Sequence, residues 1–285
     1  MLDYSSLHEL LDASRQAGSL WEAVLNHYVS EGADRDAAIN QMRENLSVMR
    51  ASIEEGLDPD ARSMSGRVGG QSYKLLQALN SGNSFGGNPI GLASAYALAA
   101  AECNACMGRI VAAPTAGACG VLPAALFAAQ KEKGYTDDEL VKALFVASGV
   151  GRVIAMRASI SGAEGGCQAE VGSASAMAAA ALAYLSGADD EACMRACGFA
   201  IMNLMGLVCD PVEGLVEVPC VYRNVVGVSC AITAANLAIA GIPLIMPADE
   251  LIEAMRRVGR SLPASLRETG EGGCAACKLC SEDCK

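Results

Sequence analysis

Long apolar stretches built mainly from alanine and glycine constrain the fold of this chain more than any other feature. The hydrophobic fraction is 52%, yet only 4% of the 285 residues are aromatic. Such small side chains let neighbouring backbones approach closely, which suits packed helices better than a β-sandwich. A chain of this length and hydrophobicity can also fill a sizeable core, so extensive disorder is disfavoured.

Hydrophobic periodicity is clearest in a predicted helix from about Asp34 to Glu55. Its apolar residues recur at spacings of three and four, at Ile39, Met42, Leu46, Met49 and Ile53. Residues at these spacings share one face of an α-helix. Gly56 follows directly, and we expect it to cap the helix.

The periodicity and the turn residues divide the chain into four parts. These are an N-terminal helical segment over 1–56, a polar linker over 57–70, a helical main body over 71–273 and a cysteine-rich tail over 274–285. The predicted helices are 5–17, 20–30, 34–55, 88–107, 120–132, 137–155, 172–186, 189–206, 224–240 and 247–259. No β-branched run alternates with them and no G-x-G-x-x-G follows a strand, so the predicted fold class is all-α.

The charge and hydropathy of the chain limit the kinds of partner it can bind and the compartment in which we expect it. A net charge of -11 without a basic block disfavours nucleic acid and anionic lipid. The acidic N-terminus lacks the basic start and apolar run of a secretory signal, so we expect a cytoplasmic protein. The uncharged stretch from Asn224 to Met246 is long enough to span a bilayer. Its asparagines, glycines and Pro243 favour a buried helix instead.

Four glycine-rich turns carry the rarest residue combinations, at 81–87, 113–120, 159–167 and 209–220. Each lies before or between predicted helices, where free backbone N–H groups and the helix dipole favour an anion such as a substrate carboxylate. Glycines that only let helices turn explain any single loop. Four loops that also carry hydroxyl or thiol groups indicate a shared site.

Thirteen cysteines are more than packing alone requires, and a reducing compartment argues against a disulfide framework. Cys167, Cys209 and Cys220 stand in the predicted loops rather than on helix faces. Thiolates on stiff turns suit an iron-sulfur cluster. Their spacing matches no short zinc signature, and His8 and His27 offer little imidazole for a zinc site.

Most of the other cysteines fit simpler roles. We interpret those inside predicted helices as small buried side chains, namely Cys103, Cys106, Cys193, Cys197 and Cys230. Cys119 lies in the 113–120 loop, where we expect it close to the substrate but not bound to a cluster. The tail carries Cys274, Cys277, Cys280 and Cys284 at the spacing of a bacterial ferredoxin run without its following proline. It is either a second metal or cluster site, or a flexible thiol tail that reaches the active site or has no role.

Three long blocks of the main body are similar to a known family. SGAEGGCQAEVGSASAMAAAA, NLMGLVCDPVEGLVEVPCVYRN and APTAGACGVLPAAL resemble signature blocks of the α chain of two-subunit iron-sulfur L-serine dehydratases. MRENLSVMRASIEEGL resembles the N-terminal block of that family, so the resemblance extends to about Gly273. The tail beyond it departs from the family pattern.

This resemblance implies a lyase that deaminates L-serine to pyruvate and ammonia. It further implies a [4Fe-4S] cluster held by Cys167, Cys209 and Cys220, in which one open iron acts as a Lewis acid on the substrate hydroxyl. A separate β subunit would complete the enzyme. L-cysteine desulfidation, L-threonine deamination and, in another class, a non-catalytic iron-sulfur electron carrier stay open. A pyridoxal-phosphate enzyme is disfavoured, since no lysine falls in a glycine-rich loop of the main body.

The remaining roles are assigned by chemistry. Candidates to bind the substrate carboxylate and amino group through hydroxyls and loop amides are Ser81, Asn83, Thr115, Gly117 and Ser161. Arg223 and Asn224 could orient the carboxylate or support a cluster sulfide, and a helix-start salt bridge is the alternative for Arg223. No histidine lies in these loops. The base is therefore a histidine of the β subunit, Glu164, a serine alkoxide or a cluster-bound hydroxide.

Overall fold

Twelve α-helices make up most of the described chain, which covers residues 4–83, 85 and 87–278 of a computed structural model. They are α1 Leu7–Ala17, α2 Leu20–Ser30, α3 Arg35–Gly56, α4 Gln71–Asn80, α5 Gly87–Ala105, α6 Val121–Lys133, α7 Asp137–Arg157, α8 Gly162–Gly165, α9 Ser173–Leu185, α10 Asp190–Leu204, α11 Cys220–Ile239 and α12 Ala248–Ser261. Only an isolated β-bridge, Cys209 to Arg267, is formed within these residues. The predicted all-α class is confirmed.

Polar side chains fix the starts of several helices. The Ser6 hydroxyl accepts a hydrogen bond from the N–H of Glu9 at the start of α1, and Asp34 caps α3. At α7, Thr136 accepts from the N–H of Glu139 at 3.3 Å, while the Glu139 carboxylate accepts from the N–H of Thr136 at 2.7 Å. These bonds satisfy N–H groups that have no partner within the helix. They are local, which is why the predicted boundaries of these helices agree with the structure.

The alanine-rich α9 lies at the centre of the fold. It contacts α6, α7, α10 and α11, and every residue from Ser173 to Ala181 is buried. Small side chains on all faces let four helices surround it closely. The buried side chains of α1, α2 and α3 belong to the same hydrophobic core, so the N-terminal segment packs directly onto the main body.

Gly56 shows why glycine is needed inside this fold. It is the last residue of α3, and Leu57 is the cap, contrary to the expected glycine cap. A side chain at Gly56 would overlap the backbone of Ala99 in α5. The glycine therefore permits backbone-to-backbone packing of α3 on α5.

The segment expected to be a linker, 57–70, contains no helix but is held to the loop between Cys209 and Cys220. The hydroxyls of Ser63 and Ser65 both donate to the buried carboxylate of Glu217. Arg67 forms two contacts of 2.9 Å with Glu213. The segment thus joins α3 to the loop region that carries two of the candidate cysteines.

Three helices differ from the predicted elements, and the one-turn α8 is one that was not predicted. Helix α4 was not predicted because its cap is tertiary: the buried carboxylate of Glu102 in α5 accepts from the N–H groups of Gln71 and Ser72 at 3.0 and 3.3 Å. Helix α11 begins at Cys220, four residues earlier than expected, with Pro219 before it. No helix in the part of the chain that the structure describes is both long and apolar enough to cross a membrane.

Candidate functional site

Three thiols from separate segments converge near the start of α11. Cys167 directly precedes a π-helical turn over 168–172, Cys209 forms the bridge to Arg267, and Cys220 is the first residue of α11. Cys167 and Cys209 are buried. The thiols are close enough for their charges to interact, since ionised Cys167 raises the pKa of both other cysteines.

The expectation that all three cysteines stand in loops was wrong for two of them. Cys167 directly precedes the π-helical turn. Cys220 begins α11, because the backbone N–H groups of Val221 and Arg223 already bond to the carbonyls of Glu217 and Pro219. The backbone N–H of Val171, in the turn that follows Cys167, lowers the pKa of that thiol and so favours its thiolate form.

Two opposing effects set the pKa values of these thiols: burial, which raises them, and nearby positive charge, which lowers them. Burial raises the pKa of Cys167 to about 11 and that of Cys220 to about 12, and it raises the pKa of Cys209 as well. The guanidinium of Arg223 acts in the opposite direction on Cys167 and Cys220. Such thiols are poor free nucleophiles at neutral pH, and a bound metal would deprotonate them. No group of three or more His, Cys, Asp or Glu among the described residues is arranged to hold a single metal ion.

Arg223 is anchored by the residue that follows Cys209. Its Nη1 lies 2.6 Å from Oδ1 of the buried Asp210 and donates to the carbonyl of Val208 at 2.7 Å. The first contact is an ion pair rather than a well-directed hydrogen bond, since Asp210 Oδ1 lacks hydrogen-bond geometry. Burial raises the pKa of Asp210, but the hydrogen bond from the Cys274 amide and the positive charge of Arg223 leave it below the ordinary value. Arg223 thus forms the predicted salt bridge and still acts electrostatically on Cys167.

Asn224 is fully buried and joins two of the predicted loops. Its Oδ1 accepts from the N–H of Gly120 at 2.9 Å, and its Nδ2 donates to the carbonyls of Gly117 and Cys220 at 2.8 and 3.0 Å. Both ends of the amide are engaged with backbone. We interpret Asn224 as a residue that positions the 113–120 loop beside Cys220.

Glu170 is a site residue that the sequence analysis missed. It lies in the π-helical turn, and its Oε2 is 3.9 Å from the Sγ of Cys209. Burial raises its pKa, while the nearby hydroxyl of Thr115 lowers it. That hydroxyl is buried but does not reach hydrogen-bond geometry with any group. A signal was present, because Glu170 is the only charged residue between Cys167 and Asp189.

The structure brings some of the predicted substrate-binding residues to the thiols and leaves others apart. Thr115 and Gly117 lie beside Glu170, and the residue after Ser161, Gly162, packs against Cys209. Ser81 and Asn83 are exposed and precede α5.

Ser81 and Asn83 precede α5, whose first turn lies near the end of α11 that is away from Cys220. Pro89 in the first turn of α5 lines one cavity of about 300 Å³ with Ile239, the last residue of α11. The 20-residue α11 spans about 30 Å, with Cys220 at its other end. A substrate role for Ser81 and Asn83 stays a prediction.

The remaining cysteines of the main body are packed in or beside helices. Cys103, Cys193 and Cys197 are buried, as expected, while Cys106 and Cys230 are partly buried. The Cys119 thiol is buried and points to the carbonyl of Ala100 in α5 at 3.6 Å. It packs between helices instead of facing the three thiols.

The tail is described only through Lys278. The N–H of Cys274 donates to Asp210 Oδ2 at 2.6 Å, and Cys277 is exposed. Cys280 and Cys284 lie outside the described residues, so a second metal site in the tail stays a prediction.

The two histidines lie on the first two helices, as predicted. His8 is exposed on α1, 3.6 Å from Asp12, whereas His27 is buried on α2 beside the ring of Tyr4. In the described structure, neither histidine is among the groups that shift the pKa of the three thiols.

The fold and the site define an all-α protein with three buried or partly buried, mutually coupled thiols, flanked by a carboxylate and an arginine–aspartate pair. The chain belongs to the serine dehydratase alpha chain family, whose family model matches residues 12–275. It is 44% identical to the probable L-serine dehydratase, alpha chain, of Bacillus subtilis, over 96% of this chain and 91% of that protein.

Two further relatives show how the family is arranged. The L-serine dehydratase, alpha chain, of Peptoniphilus asaccharolyticus is 39% identical over 96% of this chain and 94% of its own length. The L-serine dehydratase of Streptomyces coelicolor is 36% identical over 94% of this chain, but only 59% of that protein is covered. The longer relative therefore contains a substantial region without a counterpart here.

Proposed function

We propose that this chain is the α subunit of an iron-sulfur L-serine dehydratase, a lyase that converts L-serine to pyruvate and ammonia. The family match over residues 12–275 carries this proposal. It is supported by the two relatives named L-serine dehydratase, alpha chain, both of which this chain covers over more than nine tenths of their length. The substrate is the one those names give.

The donor set fits a [4Fe-4S] cluster held by Cys167, Cys209 and Cys220. Sulfur is the ligand that iron-sulfur clusters take, and the three thiols are mutually coupled, with Arg223 favouring the ionised form of Cys167. With three protein ligands, the bound cluster supplies one iron that can polarise the substrate hydroxyl and so assist its departure.

The chain itself supplies orientation and charge control. Arg223, held by Asp210, offsets negative charge on the thiolates without leaving its ion pair. Asn224 fixes the 113–120 loop, whose Thr115 hydroxyl is available to the substrate carboxylate. Loss of the Cα proton and of hydroxide gives aminoacrylate, which tautomerises to an imine and hydrolyses to pyruvate and ammonia.

A β subunit is the partner that this proposal requires. The alpha-chain names of the similar proteins support it, and so does the region of the Streptomyces coelicolor enzyme that extends beyond the similarity. Neither histidine of this chain lies at the thiols, so the partner would contribute the base that removes the Cα proton.

Anaerobic purification of the chain with its β subunit tests the proposal. We expect a coloured protein with about four iron and four sulfide per site, and pyruvate release from L-serine. L-threonine and L-cysteine, assayed in parallel, determine the preferred substrate. Iron-free protein that releases no pyruvate would overturn the proposal.

A further inference from the structure

The carboxyl group of Glu170 occupies a space left by two glycines. A side chain at Gly162 would come within 2.7 Å of Glu170 Oε2 and 2.8 Å of Cys209 Sγ. One at Gly117 would come within 3.5 Å of Glu170 Oε1. Loops 113–120 and 159–167 therefore meet around this carboxyl group, directly beside the Cys209 thiol.

No cation of the described chain balances this carboxyl group. The groups that act on it are the Thr115 hydroxyl, the Cys209 thiol and a second carboxylate, Glu268, whose charge is unfavourable to it. The N–H of Glu268 donates to the carbonyl of Cys209 at 2.7 Å, so this second acid is anchored at the same place. Two neighbouring carboxylates, of which Glu170 is half-buried and Glu268 is exposed, favour a positively charged group between them and solvent.

We propose that Glu170 binds the ammonium group of the amino-acid substrate. This inference rests on the proposed function, in which the substrate carries an ammonium, a carboxylate and a hydroxyl group around one carbon skeleton. The carboxylate of Glu170 accepts charge-assisted hydrogen bonds from the ammonium group. The buried Thr115 hydroxyl lies beside Glu170 and makes no hydrogen bond in the described structure, so it is available to the substrate carboxylate.

This arrangement orients the remaining group of the substrate. Because Glu170 Oε2 is 3.9 Å from Cys209 Sγ, an ammonium group bound to it lies next to the thiol ligands. The substrate hydroxyl is then directed toward the metal position. The pocket therefore selects amino acids over hydroxy acids of the same shape, which lack the cationic group.

The variant Glu170→Gln, purified anaerobically with the β subunit, tests this role. We expect iron content and the absorption spectrum to match the wild type, while KM for L-serine rises roughly tenfold to a hundredfold. The probe 3-hydroxypropanoate has the hydroxyl and carboxylate groups but no ammonium group. Its inhibition constant should change by no more than about twofold, the spread expected when no direct contact is lost.

Two further measurements keep the result interpretable. Glu213→Gln is the matched control, since Glu213 is exposed and pairs with Arg67, and its kinetics should equal those of the wild type. If Glu170→Gln loses iron, Glu170→Asp repeats the comparison with the charge retained. Equal weakening of L-serine and 3-hydroxypropanoate, or no weakening of either, overturns the proposal. A wild-type enzyme without iron or pyruvate release overturns the proposed function instead.

Discussion

Asn224 accepts a hydrogen bond at 2.9 Å from the N–H of Gly120, a residue 104 positions earlier in the chain. The same amide donates to the carbonyls of Gly117 and Cys220. One fully buried side chain therefore fixes both the loop that carries Thr115 and the helix start that carries a candidate ligand. Asn224 contributes to the site by holding these backbone groups in place. The free energy of unfolding that is lost when Asn224 is replaced measures this contribution.

Replacing Asn224 by alanine should lower the free energy of unfolding by about 1–3 kcal/mol for each buried group left without a partner. The buried N–H of Gly120 is the main group affected, and the partly buried carbonyl of Gly117 also loses its partner. Urea unfolding of the iron-free chain measures the change. Asn236→Ala is the control, because Asn236 is exposed on the same helix. Equal stabilities for the two variants would refute the positioning role.

The three proposed ligands should be individually necessary. Serine at Cys167, Cys209 or Cys220 removes a thiolate ligand, and two remaining thiolates hold a four-iron cluster poorly. We expect loss of both iron and pyruvate release in each variant. Iron and sulfide counting after anaerobic purification gives the result directly.

Cys230→Ser is the matched control for these variants. Cys230 is also on α11, but its thiol donates to the carbonyl of Ala200 at 3.8 Å, away from the three ligands. Its iron content should equal that of the wild type. A full cluster in Cys209→Ser would show that the ligand set is wrong.

Local signals explain how much of the fold was predictable. The capping pair Thr136 and Glu139 and the apolar stripe of α3 are properties of short segments, so their helices were found within a few residues. Helix α4 has no such local signal. Its first N–H groups bond to Glu102, 30 residues away, and no periodicity reveals that contact.

The site residues that could be predicted are those that stand within a recognisable block of sequence. The three cysteines stand in long blocks that resemble a family, and the structure brings them together. The sequence did not reveal the role of Glu170, because that role depends on the tertiary contact of the loops around Gly117 and Gly162 with its carboxyl group. Ser81 shares the glycine-rich composition of those loops, yet it precedes α5, whose first turn lies near Ile239 at the end of α11 away from Cys220.

The buried carboxyl group of Glu102 should make stability depend on pH. Burial raises its pKa above the ordinary value, and hydrogen bonds from Ser72 only partly oppose this. A raised folded-state pKa means that the folded protein binds the proton more tightly. The stabilisation is therefore present below the unfolded-state value of about 4.3 and is lost as the pH rises through the folded-state value.

Comparison with Glu102→Gln isolates this effect, since glutamine does not titrate. We expect the free energy of unfolding of the wild type, relative to the variant, to decrease as the pH rises from about 4 to 7. Denaturant unfolding at several pH values measures it. Glu132→Gln, at an exposed position, should show no such trend relative to the wild type. A constant difference for Glu102→Gln would contradict the predicted raised pKa.

The positions of the two histidines support the proposal that turnover needs a partner subunit. His8 is exposed on α1, and His27 is buried on α2 beside Tyr4. Removal of a Cα proton requires a positioned base, and histidine is the residue most often used. Glu164, which could act instead, accepts a hydrogen bond from the Ser159 hydroxyl at 2.7 Å and is exposed to solvent.

We therefore expect the isolated chain to bind iron but to release pyruvate at least about a hundredfold more slowly than the chain with its β subunit, because general base catalysis contributes about 10²–10⁴ in rate. Iron counting and a pyruvate assay with and without the co-expressed subunit measure both properties in one preparation. His8→Gln in the α chain is the control and should leave the assembled activity unchanged, since His8 lies on the surface of α1. Full activity of the isolated chain would place the base within this subunit, and Glu164→Gln would then be the variant expected to abolish it.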